Sequence, residues 1–356
     1  MIDVIRYFKE FYQRNNVPVD SISQREFGVG IDKKINYRHK AFSTQREFNN
    51  FLANEPPRFV SHSVGRFEFP WCQPMEKKSL LSADLVFDID SKPEEGHNDI
   101  FCTKCIERAK IEVVKLIENF LLSEFGLSQK DLLVVFSGSK GFHVHVRSPA
   151  VQQLSSTSRR LLVDCITGKE LNLDSLVRRT SVGGKAYTLN GPAANSLGWK
   201  KQLLETSLAF LEKPDFPKKK LLYLQENKQN ITDQLNLGNW DFFHDSREAL
   251  EQILSLAIAK RGVDVDSPVT FDVHRLIRVP GTLHGDTGFV AKPLSITEID
   301  KFDATIHAAA FKGTAQVELT VPASLYFAGQ EYSLNTGKSE VPTSLAVLLT
   351  CKGATL

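Results

Sequence analysis

The chain has 356 residues, with 44 lysines and arginines against 42 aspartates and glutamates and five cysteines. That length holds two domains, or one large domain with an insertion, and the composition is that of an ordinary globular protein, neither disordered nor collagenous. A net charge of +2 excludes a uniformly basic nucleic-acid binder and leaves only a local basic patch for that role. The odd cysteine count, with one close pair at Cys102 and Cys105, fits a reducing compartment and a metal site better than a disulfide framework. Met1-Ile2-Asp3-Val4-Ile5-Arg6 lacks a signal-peptide pattern and no apolar run reaches the length of a membrane span. A soluble cytoplasmic protein without a membrane partner is expected.

Taken in order, residues 3–14 predict an amphipathic helix, with Val4, Ile5, Phe8, Phe11 and Tyr12 on one stripe. Arg25-Glu26-Phe27-Gly28-Val29-Gly30 reads as a strand closing in a turn, and residues 36–42 as a basic segment flanked by aromatics. Thr44 and Glu47 have capping-box spacing, which predicts a helix start. Residues 58–70 are strand-like. Leu85-Val86-Phe87-Asp88-Ile89-Asp90 predicts a strand whose alternation puts Leu85, Phe87 and Ile89 on one face and Val86, Asp88 and Asp90 on the other. A polar loop over 92–105 carries His97, Cys102 and Cys105, and a helix is predicted from about Ile106 to Phe125 with Gly126 as its C-cap. Leu132 to Phe136 reads as a buried strand, Ser137-Gly138-Ser139-Lys140-Gly141 as a tight loop, and Phe142 to Val146 as a strand with His143 and His145 on a shared face.

From residue 153 to about 260 the chain is helix-like and lysine-rich, with loops at Gly183-Gly184, Asn190-Gly191-Pro192 and Lys213 to Lys220. That last lysine run reads as a solvated loop. Strand-and-turn character returns over 263–289, followed by short strands near 317–321 and 326–332 and an apolar segment at 344–349. The expected class is α/β (α+β). A mixed-sheet core would be built from residues 1–152 and 255–356, interrupted by a mainly helical subdomain over 153–254.

Three stretches point at one kind of chemistry. Asp88 and Asp90 stand side by side at a strand end, an arrangement that suits hard divalent cations such as Mg²⁺, although a strand running into a solvated acidic turn would look the same. In Ser137 to His145, two glycines let backbone N–H groups approach an anion, Ser137 and Lys140 add donors, and His143 and His145 share a face. The spacing is not that of a Walker loop, and a strand follows instead of a helix. Asp264-Val265-Asp266 leads to Arg275, Arg278 and His284 around a Pro-Gly turn. In a strand, Arg275 and Arg278 would point to opposite faces, so both are not assumed to touch a ligand. Three carboxylates beside a set of Arg, Lys and His donors suit two-metal phosphoryl transfer.

Asp88-Ile89-Asp90, Ser137-Gly138-x-x-Gly141-Phe142-His143 and Arg275-Leu276-Ile277-Arg278-x-Pro280-Gly281-x-Leu283-His284-Gly285 together resemble the catalytic small subunit of archaeal and eukaryotic DNA primases, the archaeal form more closely. Arg25-Glu26-Phe27-Gly28, Arg38-x-x-x-Phe42 and Val341-Pro342-x-x-Leu345-Ala346-Val347 fit the same family. The resemblance implies a nucleotidyltransferase that lays short RNA primers, and also DNA, on single-stranded DNA from nucleoside triphosphates. It implies a larger regulatory subunit as heterodimer partner. On that likeness Asp88, Asp90 and Asp266 hold two Mg²⁺ or Mn²⁺ ions, and Ser137, Lys140, His143, Arg278 and His284 grip the incoming triphosphate, with Arg38 reaching into the same site. Asp266 is implied over Asp264 and Asp272 because the family's third carboxylate stands eighteen residues before the motif histidine, here His284.

The likeness also implies a structural Zn²⁺ just after the Asp-x-Asp strand. This chain offers His97, Cys102 and Cys105 there, with Cys72, Glu95 or Asp99 as the fourth ligand. Two departures stand out. Ser139 and Lys140 replace an arginine pair, which removes one cation and bidentate phosphate binding. Asp286 stands where the family often has lysine, and an anion there weakens phosphate binding unless it points away. Two other readings compete: a repair or plasmid polymerase of the same superfamily that extends existing primers, and a non-catalytic zinc module that binds nucleic acid. The second leaves three carboxylates, ordered with two phosphate-type loops, unexplained.

Overall fold

A computed structural model describes residues 2–31, 34–93, 97, 98 and 100–356. The chain divides into two compact units: Met1–Val114, Leu127–Val163 and Val265–Leu356 form the first, and Lys115–Gly126 with Asp164–Asp264 the second. Among the described residues, no helix is long and apolar enough to cross a membrane.

The chain begins with helix α1 (Val4–Arg14), whose first turn is capped by the Asp3 side chain accepting from the Arg6 N–H and whose Phe8 and Tyr12 are buried. Strands β1 (Phe27–Gly30) and β2 (Tyr37–Lys40) follow. Helix α2 (Gln45–Asn54) starts where the Thr44/Glu47 spacing predicts: the Thr44 hydroxyl accepts from the Glu47 N–H at 3.2 Å. The Glu47 carboxylate reaches back one residue further than a standard box, to the Ser43 N–H at 2.8 Å. Then come β3 (Phe59–Ser63), β4 (Gly65–Phe67), β5 (Leu80–Ala83) and β6 (Leu85–Asp90). The predicted long helix begins earlier than expected, as α3 (Thr103–Leu116), and passes into a π-helical stretch, Ile117–Leu122. Gly126 has φ +64°, the left-handed conformation of a C-cap glycine. Strands β7 (Leu132–Phe136) and β8 (Gly141–Val146) complete this part of the chain.

In the second unit the expected loop at Gly183-Gly184 is the tip of an antiparallel hairpin between β9 (Arg178–Gly183) and β10 (Ala186–Asn190). β9 is exposed along its whole length, so it carries none of the apolar alternation by which a strand is recognised. The Lys213 to Lys220 run is likewise not all solvated loop. A helix starts at Lys218 (Lys218–Asn236), and the Lys220 ammonium donates to the Ser246 hydroxyl at 2.6 Å while lying 4.6 Å from the Phe242 ring centre. The unit's core is apolar, with Leu203, Leu235, Trp240, Phe243 and Ile253 fully buried.

The chain returns to the first unit with β11 (Leu276–Arg278), β12 (Pro293–Leu294), β13 (Thr314–Leu319), β14 (Ala323–Phe327), β15 (Gln330–Leu334) and β16 (Gly337–Pro342). The predicted strand over 326–332 is thus a β14–β15 hairpin, and the apolar segment at 344–349 lies in a buried helix, Thr343–Cys351. Two four-stranded sheets organise this unit, in the orders β11-β3-β1-β2 and β12-β7-β8-β6. Every pairing in both is antiparallel, so the class is α+β, as expected, with antiparallel sheets in place of mixed ones. Phe27 on β1 packs with Phe42, Phe48 and Leu52 and with Phe8 and Tyr12 of α1, which closes one face of the first sheet.

Candidate active site

The site is built on β6, and the chain spends several buried charges on placing that strand. Asp84, the residue before it, is fully buried and bonded by Arg25 Nη2 and Arg66 Nη1, each at 2.9 Å. Burial alone would raise the Asp84 carboxyl, but the two guanidiniums hold it below its ordinary range. Arg159 donates to the Ala83 and Asp84 carbonyls at 2.8 Å. Arg25 of the Arg-Glu-Phe-Gly stretch is therefore an anchor for the acidic strand and not a ligand.

From that anchor, strand alternation carries Asp88 and Asp90 to one face. In the β6–β8 register His143 stands opposite Asp88 and Gly141 opposite Asp90, and directly opposed residues share a face. A cleft of about 430 Å³ opens there, lined by Asp88 and Asp90 together with Arg38, Ser137, Lys140, His143, Arg278 and His284. The two glycines of the connecting loop explain how the motifs come so close. Gly138 has φ +87°, and a Cβ there would lie 2.7 Å from His284 Cβ. A Cβ on Gly141 would run into the Asp90 carboxylate and the Ile89 carbonyl.

The electrostatics of the cleft are those of an unbalanced site. Burial, and then the neighbouring Asp266 charge, push the Asp88 carboxyl up to about 6; burial and Asp88 raise Asp90. Asp88 Oδ1 is buried with no hydrogen-bond partner among the described residues, and His143 Nε2 lies 3.7 Å from it. Lys140 Nζ lies 3.7 Å from Asp90 Oδ2. Burial, reinforced by Arg278, lowers His143 to about 4 and His284 well below the ordinary histidine range, so both rings are neutral. Burial pulls the Arg278 guanidinium down to about 10, and its Nη1 has no partner. His284 Nδ1 accepts the Asp286 N–H at 3.1 Å, which places the ring proton on Nε2. Ser137 Oγ accepts the Gly141 N–H at 3.3 Å and keeps its hydrogen for another acceptor.

Several placements differ from expectation. Arg275 and Arg278 both line the cleft, because Arg275 precedes β11, in a turn closed by its N–H on the Asp272 carbonyl, where strand alternation does not apply. Asp286 does not point away: it lines the cleft and is one of the charges facing Arg278. Asp266 donates its N–H to the Asp88 carbonyl at 2.9 Å and sets its carboxylate 4.0 Å from Arg275, beside the cleft lining rather than within it. Asp272 does line the cleft, and Asp264 belongs to the second unit. Sequence reasoning missed Lys34, Ser61 and His274 as lining residues. The lysine in a polar turn and the serine in a strand carried no signal; His274 stood at the edge of the third motif and was readable.

His97, Cys102 and Cys105 form the one group of metal-type ligands among the described residues whose donor atoms all lie within 4.8 Å of one another. His97 Nδ1 is 3.2 Å and Cys102 Sγ 2.8 Å from Cys105 Sγ. Burial works to raise the Cys102 thiol, but hydrogen bonds led by that from Cys105 bring it down to about 7, within reach of the thiolate that a metal binds. Cys72 is not part of the group. Glu95 and Asp99, the other two expected fourth ligands, lie outside the described residues. The Asp88, Asp90 and Asp266 carboxylates do not form so close a group.

The fold and cleft thus describe an α+β protein whose cleft gathers carboxylates with Arg, Lys, Ser and His side chains. The family model of the DNA primase small subunit matches residues 87–296. Over nearly their full lengths, the chain is 31% identical to the DNA primase small subunit of Methanothrix thermoacetophila (97% of this chain, 96% of that one) and 32% identical to that of Methanosarcina barkeri (97% and 94%). It is 31% identical to that of Picrophilus torridus (97% and 95%). The chain belongs to the DNA primase small-subunit family.

Proposed function

We propose that the chain is the catalytic subunit of a DNA primase, joining ribonucleotides into short primers on a single-stranded DNA template in complex with a larger subunit. The observation that carries this reading is the convergence of Asp88 and Asp90 with Ser137, Lys140, His143, Arg278 and His284 around one cleft. Asp88, Asp90 and Asp266 would hold two Mg²⁺ or Mn²⁺ ions. The buried Asp88 Oδ1, without a hydrogen-bond partner among the described residues, and the adjacent Asp90 carboxylate are donors of the kind a divalent cation takes, and its charge would offset the burial that raises both carboxyls. When bound, such ions make the primer 3′-OH a better nucleophile and neutralise charge on the leaving pyrophosphate. The 3′ oxygen forms a bond to the α-phosphorus as the bond to the β-phosphate oxygen breaks, and pyrophosphate leaves.

The chain's own residues hold the triphosphate. His284 presents Nε2–H because its Nδ1 is already an acceptor. Ser137 turns its hydroxyl hydrogen outward, Arg278 offers the unpartnered Nη1, and Lys140 supplies a point charge. Neutral His143 beside Asp88 donates without adding charge where the cations sit. Asp286 faces the same cleft, so its anion selects against loosely held phosphate and favours a triphosphate already paired with metal. Arg38, held by Glu26 at 2.9 Å, reaches in from β2.

His97, Cys102 and Cys105 would hold a structural Zn²⁺, and the expected outcome for Cys102→Ser is loss of stoichiometric zinc by elemental analysis of the purified chain. The function is tested by incubating the chain with single-stranded DNA, labelled ribonucleotides and Mg²⁺ or Mn²⁺, with and without an annealed primer. Primers made de novo are expected once the large subunit is present. Extension of supplied primers alone, even with that subunit, would favour a repair-type polymerase. Absence of incorporation under every condition would return the chain to a binding module.

A further inference from the structure

Outside the nucleotide site, the segment from β4 to β5 carries a concentration of exposed apolar side chains. Phe69 is 39% exposed, Trp71 55%, Leu80 45% and Leu81 43%. The two rings are arranged, not scattered. The Phe69 N–H pairs with the Lys78 carbonyl at 3.0 Å, extending the β4–β5 ladder, and the Cys72 N–H returns to the Phe69 carbonyl at 3.0 Å. That turn brings Phe69 and Trp71 edge to face, with centroids 6.0 Å apart. At the other end the buried Phe67 stacks on His274, centroids 5.8 Å apart and planes within 10°. His274 is a wall of the cleft. The buried Phe67 thus ties the cleft wall at His274 to the strand end that presents Phe69 and Trp71 to solvent.

Core packing does not account for exposed rings, and a patch of this kind marks a contact surface. Its occupant is indicated by where it starts. The cleft end is rimmed by the exposed cations Lys34, Arg38 and Arg275, and Arg38 Nη2 donates to the His274 carbonyl at 3.4 Å. A rim of cations continuing into exposed aromatic faces is the pairing that single-stranded nucleic acid needs, charge for the phosphates and flat apolar surface for the bases. The Phe69–Trp71 strip itself carries Glu68 and Glu76 against Lys77, so stacking and not ion pairing dominates there. We propose that Phe69 and Trp71 form the stacking platform on which bases of the single-stranded template rest on their way to the cleft. The proposal rests on the cleft being a template-directed nucleotide site.

Trp71 reports on its own contact. Of the three tryptophans, Trp240 is fully buried and Trp199 donates its Nε1–H to the Cys165 carbonyl at 2.7 Å, whereas Trp71 faces solvent. Tryptophan emission of the full chain would be followed while a short oligodeoxythymidine is added, without metal or nucleotide. Emission should be quenched. Trp71→Phe should lose the quenching yet hold affinity, read by anisotropy of a labelled oligomer, within about twofold; Trp71→Ala should weaken it about tenfold with little change in its salt dependence. Unquenched emission together with wild-type affinity in Trp71→Ala overturns the proposal. Emission altered only by the purified large subunit does so too, and gives the strip to a protein contact. If the strip fails while the chain still makes primers, the functional reading stands. If Trp71 binds the oligomer but no metal supports incorporation, the strip stands and the functional reading falls.

Discussion

The two units of the molecule bury different things. In the second, the interior is mainly aliphatic and aromatic, its few buried polar groups including Gln202, Thr206, Ser207 and Arg261 Nε, the last unpartnered among the described residues: Trp240 donates its Nε1–H to the Pro192 carbonyl at 2.9 Å and packs on Phe243, and charges such as Arg247 and Asp174 pair on the surface at 3.1 Å. The first unit buries carboxylates, guanidiniums and four histidines, His62, His143, His145 and His284. Some have partners, as in the Arg25–Asp84 pair, but Asp88 Oδ1, His143 Nδ1, both ring nitrogens of His145 and Arg278 Nη1 have none among the described residues. An apolar interior contributes stability alone, whereas buried polar groups without partners lower it and are kept for what they bind.

That contrast is broken most directly at Asp88. Asp88→Asn should reduce incorporation on the order of 10³-fold, about 4 kcal/mol of transition-state stabilisation. Because the folded carboxyl is raised to about 6, its charged form weakens the fold above that pH, so the same variant should melt at an equal or slightly higher temperature in metal-free buffer. A variant that kept near-normal activity, or lost both activity and fold, would remove the distinction between the units.

Acid comes next. The four buried histidines have folded pKa values below the ordinary 6.5, His62 at about 3 and His143 at about 4, with His145 and His284 well below. The unfolded chain therefore binds more protons, and stability is lost as pH falls below about 6.5, by up to roughly 1.4 kcal/mol per histidine at pH 5.5. Asp88 opposes this with about half of one such contribution. Native-state hydrogen exchange at pH 7.5 and 5.5 should show first-unit peptides losing protection while those of the second, whose single histidine is the exposed His244, hold theirs. The reverse order would contradict the account.

Trp240→Ala should cost about 3–5 kcal/mol by denaturant titration, a packing loss together with the hydrogen bond to the Pro192 carbonyl, with incorporation per folded molecule little changed. His284→Ala should raise the nucleotide KM about tenfold, the loss of one donor to an anion, with a smaller change in kcat. Arg247→Ala, which breaks an exposed pair, should leave the melting temperature unmoved.

Much of the site was legible because its residues sit on regular elements. Strand alternation alone placed Asp88 and Asp90 on one face, and the glycines of the Ser137–Gly141 loop signalled a close approach, read as one to an anion; that His284 lies against Gly138 is known only from the structure. What the strand rule could not supply was the behaviour of turns. Arg275 reaches the cleft from outside β11, and Lys34 from a loop between β1 and β2. The β9–β10 hairpin escaped notice because exposed strands carry no hydrophobic signal, and Lys220 passed for a solvated lysine because its aromatic neighbours Phe216 and Phe242 are brought together only by tertiary packing. The antiparallel pairing, similarly, depends on register between distant segments and leaves no local trace.

The central claim, that the paired carboxylates and the cationic wall make one metal-dependent nucleotide site, is most directly tested by anomalous diffraction from crystals grown with Mn²⁺ and a nucleoside triphosphate. Manganese peaks are expected at the Asp88, Asp90 and Asp266 carboxylates, with the triphosphate against Arg278 and His284. Manganese or nucleotide bound elsewhere, with these carboxylates left bare, would contradict it.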